Sequence, residues 1–190
     1  MKSTWYIIWT EHEDYHRYLD DDVFRKHYCQ NPKCNRLLTP CPEQNNLSKI
    51  KKLKADFVIL SSMNLYLCSD KFLSVITSYA KDDVSFKAVN PNVNILQVNS
   101  TCALRDELID ESPPCPECGI TLSRTIGRAC VGNRLNIFKN PDNESSLICR
   151  SKITVRDSYY AHYLFFVRDA LATELKKIKC IGLQECINET

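Results

Sequence analysis

The sequence predicts an α+β fold built from two similar strand–helix–strand halves. Three observations carry that expectation. A close cysteine pair occurs twice, at Cys29 and Cys34 and again at Cys115 and Cys118. Downstream of each pair, a short apolar run leads into an Asp-led stretch with helical spacing. A second short apolar run then follows each helical stretch. The order of the pattern is shared between the halves, although few residues are identical. The halves are expected at residues 1–99 and 100–190, within one compact unit.

Residues 4–10 are β-branched and aromatic and read as an opening strand. Residues 11–28 are polar with no clean period. The first cysteine pair follows, and then a connection over residues 35–52 carrying Pro40 and Pro42. Asp56–Leu60 and Asn64–Cys68 are strand-like. Ser69 or Asp70 can cap a helix by accepting its free N–H groups, and Phe72, Val75, Ile76 and Tyr79 recur at helical spacing. Val84–Val89 alternates as a half-buried strand does. Asn90–Asn99, rich in Asn and Val around Pro91, reads as a crossing segment between the halves.

Ser112-Pro-Pro leads into the second pair, and an irregular region extends to about Ser151. Tyr159–Val167 is a strand candidate. Asp169 reads as the N-cap of a helix with Leu171, Leu175 and Ile178 at helical spacing. Ile181–Ile187 closes as the last strand.

Composition excludes several classes. Charged residues are 25% and the net charge is +2, which leaves no electrostatic footprint for nucleic acid or an anionic membrane. Lys49–Lys54 is the one dense basic run and reads as a solvated face. No stretch has the length of a membrane span, and Trp5–Trp9 is too short for a signal-peptide core. The expectation is a cytoplasmic protein.

Eleven cysteines, an odd count, argue against a disulfide framework. In a reducing compartment, close pairs read as metal ligands. A Cys-x2-Cys turn aims two sulfurs at one ion, and Pro116 and Gly119 shape the turn that Cys115-Pro-Glu-Cys118-Gly119 needs. Cys29-x4-Cys34 is a looser version of the same device. Together Cys29, Cys34, Cys115 and Cys118 supply four thiolates for one structural Zn2+ that bridges the two halves. Cys41 and His27 are alternative ligands of the first pair. Cys68, Cys149, Cys180 and Cys186 lie in apolar stretches and read as buried small hydrophobes, while Cys41, Cys102 and Cys130 are ambiguous.

His12-Glu-Asp-Tyr-His16 matches the His-Glu-x-x-His signature of zinc proteases. That chemistry needs an amphipathic helix, and none surrounds the match. It reads as a solvated polar segment. With no Gly-rich phosphate loop and no Gly-x-Ser-x-Gly, the chain reads as a non-enzyme.

Pro113-Pro-Cys-Pro-Glu-Cys-Gly119, the earlier Tyr28-Cys29 and Cys34, and the two strand–helix–strand endings resemble the double-CXXCG-motif immunity proteins. Leu67–Phe72 with Val84–Phe86, and Val167–Leu171 with Ile181–Glu185, occupy the places of the family's repeated segments. This chain departs from the pattern at its first pair, which is Cys-x4-Cys followed by Asn35, and it is shorter between the halves. The resemblance implies a protein that neutralises a cognate bacterial toxin by binding it, without catalysis. Tyr15, Tyr18 and Phe138 are candidate anchors for that partner. A zinc-ribbon nucleic-acid or transcription accessory protein is the rival expectation.

Overall fold

The structure is a computed structural model. It describes residues 4–9, 11–12, 29–31, 34, 47, 50–60, 65–119, 121, 124–126, 130–131, 134–156, 161–178 and 181–186. In chain order the first strands are β1 (Trp5–Trp9), β2 (Glu11–His12), β3 (Phe57–Leu60) and β4 (Leu65–Cys68). Helix α1 (Asp70–Ala80) precedes β5 (Val84–Asn90), β6 (Val93–Val98) and β7 (Thr101–Leu104). Next come β8 (Ile109–Glu111), β9 (Arg124–Ile126), β10 (Cys130–Val131), β11 (Arg134–Leu135) and β12 (Phe138–Pro141). The last elements are β13 (Ile148–Ser151), β14 (Val155–Arg156), β15 (Ala161–His162), β16 (Phe165–Arg168), helix α2 (Asp169–Leu175) and β17 (Gly182–Cys186). The class is mixed α+β.

Two large sheets organise these elements. One has five strands in the order β2-β3-β4-β6-β5, and the other has eight in the order β10-β11-β17-β1-β16-β13-β7-β12. Strand β1, from the first residues of the chain, lies between β16 and β17 and is antiparallel to both. It therefore sits in the sheet of the C-terminal strands. The expected crossing segment over residues 90–99 is instead most of a hairpin, with β5 and β6 antiparallel from Val84↔Val98 to Asn90↔Val93. Its turn is built locally, because the Asn92 N–H donates to Asn90 Oδ1 at 2.9 Å. The strand expected over Tyr159–Val167 is described as two pieces, β15 and β16, and residues 157–160 lie outside the described residues.

Helix α1 begins where expected. Ser69 is its N-cap, and the hydroxyl accepts from the Phe72 N–H at 3.2 Å. Helix α2 starts differently. Asp169 is its first helical residue, Arg168 is the N-cap, and no side chain caps the helix. Asp169 Oδ1 accepts the adjacent Ala170 N–H, and the expected Asp169 cap is not formed.

Both helices bury their apolar stripe in one core. Phe72, Leu73 and Ile76 of α1 meet Leu171, Ala172 and Leu175 of α2 there, with Phe57, Tyr66, Phe165 and Val167 from the sheets. The aromatic rings cross between the sheets. Phe57 stacks on Phe72 at 4.9 Å, and Phe165 stands edge-on to Phe57 at 5.5 Å and to Tyr66 at 4.5 Å. Each sheet has a second core on its far face. Leu47, Ile50, Val58, Leu67 and Val93 back the five-stranded sheet, and Trp5, Ile7, Phe138, Cys149 and Phe166 back the eight-stranded one. Phe138, expected as an exposed anchor, is completely buried against Trp5 and Phe166.

A buried carboxylate also ties the sheets together. Asp83, just after α1, accepts from the Leu147 and Ile148 amides at 2.7 and 3.4 Å and from Ser100 Oγ at 2.9 Å. Three donors compensate the burial of that charge.

Candidate metal centre

The second cysteine pair sits at the tip of a hairpin. β8 and β9 pair from Ile109↔Ile126 to Glu111↔Arg124, and Pro114 bridges Thr121 beyond them. Inside this ribbon the Gly119 N–H donates to the Cys115 carbonyl at 2.8 Å. Gly119 has φ of 70°, a left-handed conformation that costs an L side chain energy. Nothing lies within 4 Å of where a Cβ would stand, so conformation rather than space selects glycine. At the first pair the Cys34 N–H donates to the Asn31 carbonyl at 2.9 Å, and this turn brings Cys34 back toward Cys29.

The two turns meet. The sulfur atoms of Cys29, Cys34, Cys115 and Cys118 all lie within 4.8 Å of one another. Cys29 Sγ is 3.8 Å from Cys115 Sγ, and Cys34 Sγ is 3.6 Å from Cys118 Sγ. A tetrahedron of sulfurs held at about 2.3 Å from a central zinc has edges of about 3.8 Å. The spacing therefore fits a four-coordinate ion. Cys29 and Cys115 are buried, while Cys34 and Cys118 are half-buried. Glu117 Oε2 stands 4.0 Å from Cys29 Sγ.

The electrostatics are uneven across the four. The Cys118 backbone N–H, helped by that of Glu117, pulls the Cys115 thiol down to about 7. The Asn31 amide draws the Cys29 thiol down as well, but burial and the neighbouring Cys118 and Cys115 thiols outweigh it and raise that thiol overall. Four thiolates this close repel one another unless a cation lies between them. The four sulfurs can hold a metal ion of the soft or borderline kind.

Other candidates separate cleanly. Cys68, Cys102, Cys149 and Cys186 are buried in apolar cores. Burial lifts the Cys68 and Cys186 thiols to about 12, and it raises Cys149 strongly. His12 closes strand β2, paired with Ile59, so the His-Glu-x-x-His segment begins in extended backbone and not on a helix. Glu13, His16, His27, Cys41 and Cys180, with Tyr15 and Tyr18, lie outside the described residues.

The surface adds residues that periodicity does not single out for function. Trp9, Tyr79 and Phe86 are the large apolar side chains exposed among the described residues, at 45%, 46% and 54%. Phe86 breaks the expected pattern on β5, which is exposed along most of its length. Trp9 uses its indole N–H to donate to Gln184 Oε1 at 3.0 Å, leaving the ring face to solvent. Lys51, Lys52 and Lys54 are exposed, as a solvated basic run should be. Among the described residues, no helix is long and apolar enough to cross a membrane.

No family model, no curated protein and no solved structure matches this chain.

Proposed function

We propose that the chain is an immunity protein that neutralises a cognate bacterial toxin by direct, stoichiometric binding. Two similar halves, stapled by one structural Zn2+ on Cys29, Cys34, Cys115 and Cys118, form its scaffold. The observation that carries the structural part is the meeting of two cysteine pairs, more than eighty residues apart in sequence, at tetrahedral spacing. A four-thiolate zinc has no open coordination position, so it supports a surface and does no chemistry on a substrate. A scaffold closed in this way presents a pre-ordered face, which lowers the entropic cost of binding. Support for a toxin as the partner comes from the sequence resemblance to double-CXXCG-motif immunity proteins. Trp9, Tyr79 and Phe86 replace Phe138 as the proposed anchors, since exposed aromatic rings are the usual centres of binding energy. A cytoplasmic setting suits free thiols that must stay reduced.

The hairpin that carries Cys115 and Cys118 at its tip favours a second reading, a zinc-ribbon protein that binds nucleic acid. One experiment separates the two. The chain is co-expressed with a toxin encoded beside it, and the purified protein is tested for a toxin complex and for retardation of labelled DNA and RNA. Survival with a recovered one-to-one complex supports immunity. Unprotected cells with no complex reject it, and a nucleic-acid complex in their place moves the assignment to the second reading.

A further inference from the structure

The two sheets repeat one another strand by strand, in a way that chain order conceals. In the five-stranded sheet the run is β2-β3-β4-β6-β5, and within the eight-stranded sheet it is β7-β13-β16-β1-β17. The strand senses match at every step. β2 is parallel to β3 and β7 is parallel to β13, while every later neighbour pair in both runs is antiparallel. Each helix links the two strands that flank the inserted one, α1 from β4 to β5 and α2 from β16 to β17.

The registers agree as well. One row across the first sheet is Phe57–Cys68–Asn94–Ala88, and its counterpart is Ile148–Val167–Tyr6–Glu185. Each helix starts two residues after the second member of its row, at Asp70 and at Asp169. The faces correspond too. Phe57, Tyr66, Cys68 and Leu96 point into the shared helix core, as do Ile148, Phe165, Val167 and Ile8 at matching positions. Val58, Leu67 and Ile95 back the first sheet where Cys149, Phe166 and Ile7 back the second. A one-residue slip would reverse every one of these faces.

The difference lies in where the inserted strand comes from. β6 follows β5 through the tight turn at Pro91–Asn92, but β1 comes from the opposite end of the sequence to β17. β1 is followed in the chain by β2, on the edge of the other sheet, and β6 passes at Asn99–Ser100 into β7, which ends the matching five-strand run of the other sheet and carries only β12 outside it among the described residues. We propose that the two sheets are equivalent units of a circularly permuted repeat, locked together by two reciprocal straps, β1–β2 and β6–β7. Each strap is central in one unit and an edge in the other, so neither sheet is complete without chain from its partner. The second strap is pinned by Arg150, whose Nε donates to the Val98 carbonyl at 3.1 Å and whose N–H donates to the Ser100 carbonyl at 3.0 Å. The pairing of β17 with β1, where Cys186 lies opposite Trp5, is the counterpart of the β5–β6 turn.

This inference rests on the two-halves reading above, not on toxin binding. Its test uses three permutants of the full chain, each with residue 190 joined to residue 1 by a short Gly-Ser linker. The first opens at Pro91/Asn92, exchanging one seam for the other and keeping both straps. The second opens at Trp9/Thr10 and the third at Asn99/Ser100, each severing one strap. Both tryptophans of the chain, Trp5 and Trp9, are on β1, so their emission during urea unfolding reports directly on that strand. The expected result is a first permutant that unfolds in one transition with the emission of the parent. The second and third should each lose more than about tenfold in folding equilibrium constant relative to the first, roughly 1.4 kcal/mol or more. A first permutant that fails to fold, or that is no more stable than either strap-severed chain, overturns the proposal. Metal content of the unpermuted chain tests the thiolate centre separately, so the two readings can fail independently.

Discussion

The five-stranded sheet with α1 and the eight-stranded sheet with α2 share a run of strand order but draw on unequal local resources. Helix α1 runs over Asp70–Ala80 with a Ser69 cap, and Ser69 Oγ also donates to Asp56 Oδ1 at 2.6 Å. Helix α2 runs only over Asp169–Leu175 and has no side-chain cap. Arg168 at its start is half-buried instead, with its guanidinium 5.2 Å from the buried Trp5 ring and a donated hydrogen bond to the Glu144 carbonyl. The edges differ as well. β17 is covered by β11, with Leu135 paired to Cys186 and Arg134 Nε 3.0 Å from Glu185 Oε1, whereas β5 ends its sheet with Phe86 exposed. A short uncapped helix is marginal alone. The second region therefore owes its order to tertiary packing, and the first owes a larger share to local signals.

This contrast can be broken at the point the regions share. Phe165 touches Phe57 and Tyr66 across the sheet boundary, so Phe165→Ala should cost about 3–5 kcal/mol and destabilise both regions in one transition. Urea unfolding followed by tryptophan emission and by far-ultraviolet dichroism checks this. Two separated transitions would mean the regions fold independently. Asp83→Ala removes the acceptor of the Leu147 and Ile148 amides and of Ser100. The expected loss is about 1–3 kcal/mol, again in a single transition.

Smaller effects sharpen the comparison of the helices. Ser69→Ala should cost about 1 kcal/mol because a cap is lost. Arg168→Ala, at the equivalent position, has no cap to lose. It should cost about 0.5–1 kcal/mol through the Trp5 contact and the hydrogen bond to the Glu144 carbonyl, and it should shift tryptophan emission, which Ser69→Ala should not do.

The buried thiols set a pH dependence. In the folded chain Cys68 and Cys186 stay protonated to about 12, against an ordinary value of 9.0. The unfolded chain therefore releases protons first as pH rises, and stability falls with pH between those values by linkage. Melting temperature should decline from pH 8 to pH 10, and less steeply in Cys68→Ala.

Much of this architecture is legible in the sequence, for identifiable reasons. The Ser69-Asp70 start with Phe72 and Ile76 one turn apart specifies α1 locally. The spacing and ligand type of Cys115-Pro-Glu-Cys118-Gly119 specify the ribbon tip. β6 is harder to read because Asn and Pro dominate residues 90–99, although Val93, Ile95, Leu96 and Val98 supply the apolar positions of a strand buried on both faces. Phe138 looks like a surface ring because its partners Trp5 and Phe166 are more than twenty residues away on either side. Asp169 resembles a cap in sequence, yet its carboxylate turns back on the adjacent amide. The placement of β1 between β16 and β17 is a long-range pairing that local pattern does not encode.

The most direct measurement is a cobalt titration of metal-free protein, compared with a Cys115→Ser, Cys118→Ser double variant. Tetrahedral cobalt–thiolate coordination has intense visible absorption, so the parent should develop that band to an endpoint at one equivalent and lose it when zinc is added. The double variant should show no such band. A parent without the band, or a double variant that keeps it, would contradict a single four-thiolate centre at Cys29, Cys34, Cys115 and Cys118.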